Sequence, residues 1–292
     1  MTLWKRPLLS AYYAASLPAR QSAAAARKSC GREPVRILFF HRIADACPNP
    51  WTMPCRTFER QVSWIARHYE VVSLHEAQQR IRSGTNHKPT ACLTFDDGYA
   101  ENCEFALPLL LKRSLPFTYF VTTDNVLRGK PFAHDLADGV ALKPNTLAEL
   151  RALAKSGVEI GAHTRSHADL GRLESESELQ EEIVGSKQEL EDAIGRHVRY
   201  FAFPFGLHAN MSPAAYRVAC QGGYEGVCSA YGSYNWPGED PFHLRRFHAD
   251  VGMVRLKNWM TIDPRKFQVE EFDPGDFRAN LCAAESREEV SH

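Results

Sequence analysis

Neither charge sign is in excess in this chain of 292 residues: 35 Lys and Arg face 35 Asp and Glu. No net field therefore points to a nucleic-acid partner or to a strongly acidic substrate. No run approaches the roughly 20 consecutive apolar residues that a membrane-spanning helix needs, which argues against an integral membrane protein of that kind. The eight cysteines, at 30, 47, 55, 92, 103, 220, 228 and 282, include no C-x-x-C pair. Reduced thiols are expected rather than a zinc ribbon or a disulfide framework. No internal repeat or low-complexity linker divides the sequence, and an apolar fraction of 44% suits one sizeable α/β domain.

Residues 1–33 read as an N-terminal extension. Lys5 and Arg6 followed by Leu8, Leu9, Tyr12, Tyr13 and Leu17 have the look of a signal peptide, but Pro7, Ser10, Ser16 and Pro18 break its apolar core. An interfacial helix using Trp4, the tyrosines, Arg20, Arg27 and Lys28 is one alternative, with peripheral membrane contact. A disordered or loosely docked segment is the other. A cytoplasmic or membrane-peripheral location is expected ahead of secretion.

Residues 34–272 carry the domain, and 273–292 a polar C-terminal tail. Strand-like runs at Val35–Phe40, Val71–Val72, Ala91–Phe95, Phe117–Val121, Val158–Gly161, Tyr200–Phe203 and Gly226–Ser229 alternate with segments of helical period. Those helices include Leu74–Ile81, Phe105–Leu111, Leu147–Ala154, Glu176–Ile194 and Pro213–Gln221. The alternation predicts an α/β fold, a distorted (β/α) barrel of about seven parallel strands with function at their C-terminal ends.

Two segments at that predicted rim carry chemistry. Thr94-Phe95-Asp96-Asp97-Gly98-Tyr99 follows a buried strand. Alone it suits an Asx turn as well as a site, but successive side chains point differently, so one carboxylate can hold a cation while the other takes a proton from water. His163-Thr164-Arg165-Ser166-His167 follows another strand, and its two imidazoles can converge on one cation. One Asp and two His with open positions favour hydrolysis. Zinc fits, and iron, cobalt or nickel would be accepted.

In this order the T-F-D-D-G and H-[ST]-x-x-H segments resemble the first two motifs of the polysaccharide deacetylase family, the NodB-homology or carbohydrate esterase family 4 group. The resemblance covers about residues 35–260. It implies a distorted barrel that removes acetyl groups from sugar polymers, with an N-acetylated polysaccharide or glycoconjugate as substrate. By position, Asp96 resembles the catalytic base and Asp97, His163 and His167 the ligands of one divalent metal. Water activated at the metal would lose its proton to Asp96, and neutral imidazoles would be required, so activity should fall in acid.

Phe201-Ala202-Phe203-Pro204-Phe205-Gly206 is similar to the family's groove motif, but Ala202 stands at the usual arginine position and Phe205 at the tyrosine. Phe205, Pro204 and Tyr99 are assigned to the oxyanion and substrate groove, the Phe205 N–H needing no particular side chain. Arg199, Arg245 and Arg246 are candidates to orient Asp96, with Arg246 ranked first. The family's late Leu-x-His motif is missing. Ile37-Leu38-Phe39-Phe40-His41 resembles it in members with a circularly permuted motif order, which makes His41 the expected general acid and His243 and His248 its rivals. Trp51, Trp236, Tyr231 and Tyr234 are candidates to stack on sugar rings, and Phe132-Ala133-His134-Asp135 to line the groove. A catalytically weakened glycan-binding barrel and an amide hydrolase for a lipid-linked sugar are the alternatives.

Overall fold

The computed structural model describes residues 5–232, 234–249, 251–267 and 272–275. Its strands are β1 (Val35–Phe40), β2 (Arg42–Ile43), β3 (Thr52–Met53), β4 (Glu70–Val71), β5 (Thr90–Phe95), β6 (Thr118–Val121), β7 (Glu159–Ala162), β8 (Tyr200–Ala202), β9 (Gly226–Cys228), β10 (His243–Leu244) and β11 (Arg246–His248). The main sheet is parallel and runs β10-β9-β8-β7-β6-β5-β1-β11, with β4 beside β5. β1 and β5 are buried at every position, as expected of parallel strands covered on both faces.

One apolar set, Val35, Ile37, Cys92, Phe120, Tyr200, Ala202, Cys228 and Leu244 among them, packs inside the curved sheet. The alternate residues Leu38, Phe40, Leu93, Phe95, Tyr119 and Val121 face the outer helices. Helix Cys55–His68 shows the principle, turning Phe58, Val62 and Ile65 inward at the spacing that puts side chains on one face.

The Leu244-Arg245-Arg246-Phe247 segment looks like one strand in sequence, and the structure divides it at Arg245. β10 pairs with β9 at one edge and β11 with β1 at the other, so the chain must break its ladder to cross between edges, and in doing so nearly closes the barrel. Asn235 fills the gap. Its side chain donates to the Arg245 carbonyl (2.8 Å) and accepts from the Arg245 N–H (2.8 Å), while its backbone pairs with Val35. The predicted helix Glu176–Ile194 is continuous but contains a π turn over Glu181–Gly185.

The N-terminal extension, expected as an interfacial helix or as a disordered or loosely docked segment, is helical and touches the domain. Lys5–Ser29 is a helix docked on the domain. Two of the residues cast as membrane-facing are turned inward: Tyr12 Oη donates to Asp263 (3.0 Å), and buried Arg20 donates to the Asn258 carbonyl (3.0 Å). The exposed positions include Leu8, Ala14, Ala15, Ala19, Ala23, Ala25, Ala26 and Lys28. Among the described residues no helix is long and apolar enough to cross a membrane. Trp4 and nearly all of the polar tail lie outside the described residues.

Candidate active site

Parallel strands bring their C-terminal ends to one rim, so β5 delivers Asp96 and Asp97, β7 delivers His163, and β1 delivers His41. Asp96 continues the ladder through its N–H to the Phe40 carbonyl (2.9 Å). Asp97 then takes a left-handed backbone (φ 73°) before Gly98 (φ 96°), a conformation that costs a non-glycine residue energy and recurs at functional sites. The two carboxylates thereby point apart.

Asp97 Oδ1 lies 3.4 Å from His163 Nε2 and 3.3 Å from His167 Nε2, and one ligand atom from each residue falls within 4.8 Å of the others. His163 Nδ1 is 2.7 Å from the Ala202 carbonyl. That carbonyl can only accept, so the proton sits on Nδ1 and Nε2 presents a lone pair to the carboxylate. Among the described residues, Asp97 Oδ1 is buried without a hydrogen-bond partner. Converging lone pairs around an unsatisfied buried oxygen are the donor set a divalent cation needs. Burial would lift the Asp97 carboxyl, but wherever His163 and His167 carry a proton toward it they hold it well below the usual carboxylate range. Burial would likewise lower His167, yet Asp97 outweighs it and raises the imidazole.

The loop bearing His167 is fixed by Glu182, which the sequence reading did not single out. Its carboxylate accepts from the backbone N–H groups of Arg165 (3.0 Å) and Ser166 (2.9 Å) and from the Ser166 hydroxyl (2.6 Å). Thr164 and His167 both have positive φ. Glu182 sits in the π turn, an irregularity common at functional sites, and nothing in helical periodicity signals it.

Asp96 is held differently. Arg246 donates to both its oxygens, Nη1 to Oδ1 at 2.7 Å and Nη2 to Oδ2 at 2.9 Å. The guanidinium is itself fixed by Thr94 Oγ1 and the Ser229 carbonyl. It lies over the Phe39 and Phe120 rings. Burial would raise the Asp96 carboxyl, but Arg246, with His163 behind it, keeps it below its ordinary value. The guanidinium missing at Ala202 thus reaches Asp96 from β11. Arg199 and Arg245 pair instead with Glu159 and Glu239.

His41 and His248 stand together, ring centroids 5.6 Å apart, beside Trp51. They line a cavity of about 110 Å³ with Pro50, Met53 and Val251. His41 Nδ1 is buried without a partner. Burial lowers the imidazole's pKa, and the charges of Asp97 and Asp96 offset this only in part. Asn102, also missed by the sequence reading, clamps this turn by donating to the His41 carbonyl (2.6 Å) and accepting from the Ile43 N–H (2.9 Å). His243 lies elsewhere, against Tyr216, Tyr231 and Phe272.

Of the groove residues, Phe205 is 53% exposed, has φ 59° and packs on His167 at 5.1 Å between ring centroids, following buried Pro204. Tyr99 requires a correction: it is fully buried and lines no groove. The left-handed turn at Asp97 and Gly98 sends its ring beneath Phe132. Trp51 borders the cleft, whereas Tyr234 packs down and donates to the Trp259 carbonyl.

A sequence model of the polysaccharide deacetylase family matches residues 83–227. The chain is 26% identical to YxkH of Bacillus subtilis over 176 residues, 59% of this chain and 57% of that protein. It is 27% identical to poly-β-1,6-N-acetyl-D-glucosamine N-deacetylase of Staphylococcus aureus over 159 residues, 51% of this chain and 52% of the enzyme. It therefore spans little more than half the length of these curated relatives. In fold it is similar to IcaB from Ammonifex degensii (TM-score 0.65, 21% identity, covering 79% of this chain and 98% of that one). The Streptococcus pyogenes deacetylase PplD is similar too (TM-score 0.67, 20% identity, 80% and 100%). Through residues 83–227, under a parallel sheet nearly closed into a barrel, the chain belongs to the polysaccharide deacetylase family.

Proposed function

We propose that this protein is a metal-dependent hydrolase that removes N-acetyl groups from an N-acetylated polysaccharide or glycoconjugate, poly-β-1,6-N-acetylglucosamine being the class its relatives favour. The observation that carries the reading is the division of labour between adjacent acids: Asp97 faces two imidazoles and Asp96 faces one arginine.

Asp97, His163 and His167 would hold the divalent cation, with zinc the first choice for two nitrogens and one oxygen. A cation there supplies Lewis-acid polarisation of the acetyl carbonyl and a more acidic water. Asp96, kept anionic by Arg246, accepts the proton as water attacks. Its bidentate partner fixes the orientation in which it does so. The Phe205 ring packs on His167, and its backbone N–H is assigned as the donor to the developing oxyanion. His41 returns a proton to the departing amine, which must leave neutral.

Acetate release from N-acetylglucosamine oligomers by the metal-loaded protein is the test. Asp96→Asn should lose about 100- to 10,000-fold in kcat, the usual contribution of a general base, with metal content unchanged. His41→Ala should lose a comparable factor and His248→Ala much less. Retention of activity in His41→Ala with its loss in His248→Ala would reverse the acid assignment. Bound metal without turnover of any acetylated glycan would make this a binding barrel, and release of a different acid would move it to another amide substrate.

A further inference from the structure

The segment after helix Thr123–Arg128 brings a third imidazole beside the candidate metal ligands. The His134 ring centroid is 5.5 Å from that of His167, and the side chain is 30% exposed. It touches both the candidate ligand set and solvent, yet the reaction as derived gives it no task.

Its orientation is fixed from behind. His134 Nε2 lies 2.7 Å from Tyr99 Oη, and the same hydroxyl lies 2.8 Å from Asp135 Oδ2. The phenol has one proton. Asp135 is buried and its other oxygen accepts from Asn49 Nδ2 at 2.7 Å, so the carboxylate takes that proton. The Tyr99 oxygen can then only accept from His134, which places the imidazole proton on Nε2. Nδ1 is left a bare acceptor, with no partner among the described residues. Phe132 packs at 4.2 Å from the Tyr99 ring and 5.9 Å from His134, closing the back of this arrangement.

We propose that His134 is a substrate-binding residue whose Nδ1 accepts a hydrogen bond from a ring hydroxyl of the N-acetylated sugar, held in that tautomer by Tyr99, Asp135 and Asn49. This rests on the deacetylase reading and adds a recognition residue to it. The buried Tyr99 becomes a positioning residue. A lone-pair acceptor beside the metal-facing histidine suits a sugar, which offers a hydroxyl at nearly every carbon. It gives nothing to a bare acetyl ester.

His134→Ala tests this with two substrates: an N-acetylglucosamine oligomer, and 4-nitrophenyl acetate, which has no sugar. Oligomer affinity and kcat/KM should fall about 10-fold or more, the effect of one lost hydrogen bond at a site built for it. Ester hydrolysis and bound metal should stay at the wild-type level. An equal loss on both substrates, or a loss of metal, would overturn the proposal by placing His134 in the metal site or the scaffold. An unchanged oligomer affinity would overturn it too. Nitrogen NMR of the His134 ring gives a readout independent of turnover: a proton on Nε2 is expected, and one on Nδ1 refutes the tautomer. If wild type binds the oligomer but releases no acetate, the deacetylase reading fails while the affinity comparison still decides His134. If wild type neither binds nor cleaves it, both fail.

Discussion

At the scale of single residues, Asp96 and Arg246 have to be judged as a pair. The Arg246 side chain is fully buried and that of Asp96 is 4% exposed, so solvent screens neither charge. Removing one partner strands the other in a low-dielectric interior, a change that costs about 3–5 kcal/mol in such pairs, whereas removing both is often tolerated. Arg246→Met should therefore lower the unfolding midpoint sharply and abolish turnover. Asp96→Asn combined with Arg246→Met should recover most of the stability and none of the activity. Thermal melts of the two single variants and the double variant form the cycle that checks it; additive losses would mean the pair is not coupled as described. Arg246 illustrates what one residue's sequence can and cannot say. Its place in the strand-like Leu244-Arg245-Arg246-Phe247 marked it as an inward-facing charge, but its reach to Asp96 depends on β11 lying beside β1, a pairing between residues about 200 positions apart.

At the scale of elements, the strand-switch at Arg245 is the point where the barrel depends on one side chain. β10 and β11 are two and three residues long, and Asn235 supplies the hydrogen bonds the broken ladder loses. Asn235→Ala leaves the Arg245 N–H and C=O unsatisfied at this seam, at about 1–3 kcal/mol. The expected outcome is a lower melting point with faster amide exchange concentrated in β1 and β11; exchange that rises evenly over the molecule would contradict a local seam. Long buried strands such as Thr90–Phe95, and helices with Ser or Pro at their start such as Pro213–Gln221, were legible in the sequence because period and caps act locally. The divided last strand, the π turn that presents Glu182, and the inward turn of Tyr99 were not. The first is decided by strands far away in the chain, β1 and β9, and none of the three leaves a periodic trace. Tyr12 and Arg20, which look interfacial in the sequence, meet Asp263 and Asn258 only once the chain has folded.

At the scale of the whole molecule, the candidate metal site ties together parts of the chain that are separate until it folds. Asp97 follows β5, His163 follows β7, and His167 sits on a loop held by a carboxylate from the helical segment beyond it. The unfolded chain cannot present Asp97 Oδ1 and two imidazole nitrogens within 4.8 Å of one another, so a cation that uses all three binds the native state almost exclusively. Binding that discriminates in this way stabilises the fold by mass action, about 2.7 kcal/mol at a free concentration 100 times Kd. Titrating zinc into chelator-treated protein should therefore raise the melting temperature progressively, and chelator should reverse the rise. His163→Ala should abolish the shift, since it removes a ligand whose tautomer the Ala202 carbonyl already fixes. Arg246→Met should still show it from a lower starting point, because Arg246 contacts Asp96 and none of the three ligands. A zinc-dependent shift that survives His163→Ala would place the stabilising cation elsewhere in the molecule.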